Sequence, residues 1–221
     1  MPRNCRKEME TMSTMTRRKL LTTLAMLPAG MALAGKFAFA DEGSVPSRAS
    51  AMGSRLPDVE VITQDRKPVR FYDDLVKGKI VLINFFYAEC EKTCPPMTAN
   101  LLKVQNLLGD RVGKDIFMYS LTLKPQHDTP EVLKHYAAMY EVKPGWQFLT
   151  GTPEVMETLR RKLGFIDPDP AVDADTSNHI GVVLYGNDTL NRWSACPALT
   201  KPSEIVRSVS WLDPGPHSPI P

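Results

Sequence analysis

Cys90 and Cys94 stand four apart in the stretch "FFYAECEKTCPPM", Phe85 to Met97, at the end of an apolar run and just before two prolines. That spacing lets both sulfurs meet on one side of a helical or tightly turned segment. Two thiols that close can form a disulfide, exchange electrons with a partner's sulfurs, or grip a soft metal. A purely structural Cys90–Cys94 disulfide would close a very small loop and add little stability, because the entropic gain grows with loop length.

A third ligand would decide between these chemistries. His179 opens the strand-like run "IGVVLY", 85 residues beyond Cys94, so only the fold could bring it to the cysteines. Two Cys and one His are too few for a closed structural zinc site, which takes four ligands. The set suits copper, which thiolate and imidazole ligands select.

Of the four cysteines, Cys5 lies in the leader, which leaves Cys90, Cys94 and Cys196. An odd count in an exported protein does not close as a disulfide framework. Cys196, in "WSACPAL", reads as a buried thiol at a hairpin end or as a resolving cysteine. Met97 is a core residue or a weak contact of Cys94. Asp128 or Thr129 reads as the N-cap of a helix with Pro130 at its first position, a cap being a better reading of Asp128 than a ligand. His127 and His135 read as surface residues.

The elements that must position these residues are legible from Leu56 onward. "VEVITQ", Asp65-Arg66-Lys67 and "VRFYDDL" predict a short hairpin followed by a helical turn. Lys79–Ala88 and Asp115–Leu123 are continuous apolar runs, as expected of strands buried on both faces. Between them, "TANLLKVQNLLGD" has helical spacing and a glycine stop. Two further helices open alike, Asp128-Thr129-Pro130 and Thr152-Pro153-Glu154, around the short strand "WQFLTG". An acidic, Pro-rich loop, "DPDPAVDADTSN", leads to a hairpin turning at Gly186-Asn187-Asp188, and "KPSEIVRSVSWL" closes as a helix.

This order is α/β, a mixed central sheet flanked by helices with an N-terminal hairpin and an inserted hairpin. With a cysteine pair where the first central strand ends, it is the thioredoxin-like arrangement. A helix starting near Thr93 or Cys94 places Cys94 at the positive end of its dipole, which favours the Cys94 thiolate.

Residues 1–40 read as an export signal: Arg17, Arg18 and Lys19, an apolar stretch from Leu20 to Ala34, and Ala38-Phe39-Ala40 as a small-x-small cleavage site. The paired arginines partly match a twin-arginine signal. Residues 41–55 read as a linker, 56–212 as the folded domain and 213–221 as a Pro-rich tail. The signal holds seven of the 27 basic residues and two of the 25 acidic ones, so the mature chain carries 20 against 23, a net charge of −3. With no basic stripe in the mature part, nothing points to a nucleic-acid partner and none is expected. The expected location is the periplasm, with the membrane involved only if the signal stays uncleaved.

"FFYAECEKTCPPM", "QHDTPEVLKHYA", "FLTGTPEVMETL" and "NHIGVVLYGND" together resemble the Sco (SenC) proteins, over roughly residues 56–212. The resemblance implies a thioredoxin-like fold and a copper ion held by Cys90, Cys94 and His179. It also implies a role in assembling respiratory cytochrome oxidase, by delivering copper to subunit II or by reducing the cysteines of that centre. A metallochaperone and a thiol-disulfide oxidoreductase with Cys90 and Cys94 as its redox couple, served by a thioredoxin-like reductant, both fit. Where the family usually carries Asp-Pro-x-x-Asp-Thr, this chain has Lys124-Pro125-Gln126-His127-Asp128-Thr129. A cation thus replaces an anion beside the expected site.

Overall fold

Strands β3 (Ile80–Phe86), β4 (Ile116–Thr122) and β5 (Trp146–Thr150) are parallel neighbours at the centre of a seven-stranded sheet in a computed structural model that describes residues 56–175 and 181–213. Every residue of β3 is buried, which is why its sequence is apolar on both faces, Asn84 excepted, rather than alternating. The hairpin of β1 (Glu60–Thr63) and β2 (Pro68–Arg70) adds to one edge through an antiparallel β1–β5 ladder. On the other side β6 (Val182–Asn187) runs antiparallel to β3 and pairs with β7 (Arg192–Pro197). The spatial order is β2-β1-β5-β4-β3-β6-β7.

The period-two alternation of β3 divides its side chains between two cores. Leu82 and Phe86 pack with helices α1 (Cys94–Leu108), α2 (Pro130–Met139) and α5 (Pro202–Ser210). Val81, Ile83 and Phe85 pack with the π-helical turn Phe71–Val76 and helix α3 (Pro153–Lys162). One polar thread crosses the α1 face. Trp146 Nε1 donates to Ser120 Oγ at 2.9 Å, Ser120 donates to Asn84 Oδ1 at 2.8 Å, and Asn84 Nδ2 reaches Met97 Sδ at 3.9 Å.

Three expectations change. The inserted hairpin does not turn at Gly186-Asn187-Asp188, because β6 continues through Asn187 and the chain reverses over Asp188–Asn191. Gly186 is in the ladder because the Trp193 indole lies across it, where a Cβ would come within 2.2 Å. The acidic loop contains a short helix, α4 (Pro170–Asp173), whose Asp169 Oδ1 accepts from Ala171 N at 2.9 Å. Asp173 anchors it by pairing with the buried Arg160 at 2.6 Å. Of the two N-cap candidates for α2 it is Thr129 that caps, its hydroxyl accepting from Val132 N at 3.4 Å, so the cap reading of Asp128 is the one that changes. Asp128 is turned inward.

The expected signal (1–40) and linker (41–55), most of the tail, and His179 lie outside the described residues. Among the described residues no helix is long and apolar enough to cross a membrane.

Candidate dithiol site

The site forms where β3 ends and α1 begins. β3 carries the chain to Phe86, the loop 87–93 turns it, and α1 opens on Cys94 with two prolines in its first turn. Proline suits this place because the first helical N–H groups have no partner within the helix. The loop is pinned from the side. Leu123 N donates to Phe86 O at 2.8 Å, and Ala88 N donates to the Asp128 carboxylate at 3.2 Å. Thr122 Oγ1 donates to that same carboxylate. Asp128, only 1% exposed, therefore ties the cysteine loop to the end of β4. Its burial raises the carboxyl pKa, against the lowering effect of the Thr122 and Ala88 hydrogen bonds.

Cys90 and Cys94 are both buried and both present as thiols. The expectation that the helix start favours a thiolate on Cys94 is corrected. The helix N-terminal N–H of Cys94 points at the other sulfur, donating to Cys90 Sγ at 3.3 Å. Burial pushes the Cys90 thiol up, but hydrogen bonds from the Cys94 thiol, the Cys94 and Lys92 amides and the Tyr87 hydroxyl outweigh it, and its pKa falls to about 7. Cys94 is fully enclosed; burial, then its hydrogen bond to Cys90, pushes it up to about 12. The pair is thus asymmetric, with one poised sulfur and one held protonated behind it.

Tyr87 was not singled out from sequence, yet it touches the chemistry. Burial and its hydrogen bond to Cys90 hold its hydroxyl protonated, with a pKa near 12, so it acts as a donor. A polar-tipped aromatic closing the otherwise apolar run of β3 was the available signal. Lys124 is drawn into the same place, its Nζ lying 4.1 Å from the centroid of the Tyr87 ring.

The other sequence candidates fall elsewhere. Met97 is fully buried under β3 against Asn84, and His127 and His135 are exposed. Cys196 sits in β7 opposite Val183, half-buried, its thiol raised by burial.

His179 lies outside the described residues, which resume on either side of it at Asp175 and Gly181. Asp175 acts electrostatically on Tyr87. Gly181 lies against Thr93, where a Cβ would come within 3.3 Å of the threonine methyl. Gly181 therefore packs on the cysteine loop, and Asp175 is near enough to act on its Tyr87. Among the described residues no group of three His, Cys, Asp or Glu stands in metal-holding geometry. Two sulfurs in hydrogen-bond contact can hold a soft cation or form a disulfide.

A dithiol loop at the carboxyl end of a central parallel strand, in a mixed sheet flanked by helices, defines a thioredoxin-like protein. The family model for SCO1/SenC matches residues 58–211, and the chain belongs to that family. A "SCO1 protein homolog" of Bacillus subtilis is 37% identical over 128 residues, 57% of this chain and 65% of that protein. The chain thus spans slightly less than two thirds of that relative's length. A SCO1/SenC family lipoprotein from Bacillus anthracis superposes with a TM-score of 0.58 at 23% identity, covering 71% of this chain and 94% of the other. ScoI of Bradyrhizobium japonicum, solved with copper bound, gives 0.56 at 22% identity, covering 69% and 96%.

Proposed function

We propose that the protein is a periplasmic copper metallochaperone for maturation of the copper centre of cytochrome c oxidase, carrying one copper on Cys90, Cys94 and His179. The observation that supports it most is the hydrogen-bonded contact of the Cys90 and Cys94 sulfurs at the β3–α1 junction. The donor set fits the cargo, because thiolate sulfurs are soft ligands that select cuprous ions. The convergence of Asp175 and Gly181 on this loop supports His179 as the third ligand. The copper-bound ScoI relative and the leader-like residues 1–40 support copper carriage and export. Subunit II of the oxidase is the proposed recipient. A thiol with a pKa near 7 is readily deprotonated, which aids both loading and handover by ligand exchange.

The test is the cuprous affinity of the reduced protein, measured by competition with a chromogenic chelator beside His179→Ala. Loss of a ligand weakens binding at least as much as loss of a second-shell partner, by about tenfold or more. Weak binding by the unaltered protein, or unchanged affinity in the variant, would falsify the reading.

The asymmetry of the two thiols favours a second reading, reduction of a partner's disulfide. The Cys90 thiolate attacks one partner sulfur, forming a mixed disulfide and releasing a partner thiolate, which takes up a proton. Cys94 then loses its proton and attacks Cys90 Sγ, expelling the partner's other sulfur. Cys90–Cys94 is left oxidised and the partner reduced by two electrons, and a thioredoxin-like reductant restores the pair. The lack of any dithiol activity toward an oxidised partner would remove this reading. The two are compatible, since the sulfurs must be reduced before copper loads.

A further inference from the structure

Lys124 is held in place by its backbone on both sides. Its N–H donates to Thr122 Oγ1 at 2.9 Å, and its carbonyl accepts from His127 N and Asp128 N, each at 2.9 Å. From this turn its ammonium sits over the Tyr87 ring, 4.1 Å from the centroid, where the quadrupole of the ring face attracts a cation. The hydroxyl of that ring donates to Cys90 Sγ. The lysine ammonium is therefore placed behind the aromatic that touches the sulfur.

We propose that Lys124 makes the Cys90–Cys94 site discriminate by metal charge, favouring monovalent over divalent cations. This rests on the copper-binding reading above. The path from ammonium to ring to hydroxyl to sulfur spans at most roughly 10 Å, given a hydrogen bond of about 3 Å at its end. At that distance and an effective dielectric of about 20, one unit of fixed charge alters binding about tenfold for each further charge on the metal. Anions also act here. Glu89 acts on Asp128, Asp128 on Cys94, and Asp175 on Tyr87, all in the opposite sense. They are unchanged when Lys124 alone is replaced, so a substitution series at 124 isolates its charge.

Cobalt(II) serves as a divalent probe that does not oxidise the thiols, read by its thiolate charge-transfer absorption, and copper(I) is measured by chelator competition. The reduced protein is compared with K124R, K124M and K124D, each checked by thermal unfolding. The cobalt-to-copper affinity ratio stays within about twofold of the unaltered protein in K124R, rises about tenfold in K124M and rises further in K124D. A ratio unchanged in both K124M and K124D, with copper(I) binding intact, overturns this inference alone. Absence of copper(I) binding in the unaltered protein overturns the underlying copper reading, and this inference with it.

Discussion

The backbone N–H of Cys94 donates to the sulfur of Cys90 at 3.3 Å, so the helix start stabilises charge on the cysteine that precedes the helix rather than on the one within it. Cys94 provides this donor while its own sulfur is sealed inside the core. The two thiols are separated in acidity by position alone, although four residues apart in one short loop.

Cys90 should therefore be alkylated by iodoacetamide well before Cys94. Its rate should rise with a midpoint near pH 7, while Cys94 stays protected to the top of the accessible range. Peptide mass spectrometry of the reduced protein across pH 5 to about 10 reads both. A midpoint near that of an ordinary thiol, or first labelling at Cys94, would contradict the assignment. The sign for stability follows. The folded-state pKa of Cys90 is depressed, so this thiol's contribution falls away as pH drops through about 7.

Asp128 should make stability depend on pH in the opposite sense. Burial raises its carboxyl in the folded state, so its contribution is fully present below the ordinary carboxylate range and is lost as pH rises through the raised value. Asp128→Asn removes that titration while leaving one side-chain oxygen to accept from Ala88 N or Thr122. Urea unfolding of both proteins at a series of pH values from about 3 to 7 should show a flatter profile for the variant. Identical profiles would show that Asp128 does not titrate differently on folding.

Ser120→Ala should cost about 1–3 kcal/mol, because it leaves the buried Trp146 N–H and Asn84 carbonyl oxygen without the hydroxyl they share. Chemical denaturation at constant pH measures it. A change below about 0.5 kcal/mol would mean that the thread across β3, β4 and β5 is replaced by water or by a local shift.

Local chemistry made much of this legible in the sequence. The largely apolar, β-rich runs of β3 and β4 pointed to strands covered on both faces, and the Thr-Pro-Glu starts fixed α2 and α3. The place of the Cys90–Cys94 pair followed from the strand before it and the prolines after it. Gly186-Asn187-Asp188 has turn composition yet is not where the inserted hairpin turns, because Gly186 serves the approach of Trp193 from the neighbouring strand. A cross-strand contact of this kind leaves no trace in a local window.

What the sequence determined by itself was the element order and the place of a two-cysteine loop at a strand end, because hydrophobic period, proline and glycine act within a few residues. Only the tertiary structure decided which sulfur is the poised one, that Asp128 braces the loop instead of capping α2, and that Lys124 lies on Tyr87. Each of these depends on burial and on the direction of single hydrogen bonds between segments distant in the chain. Those are set when the sheet and its helices pack, and residue spacing does not encode them.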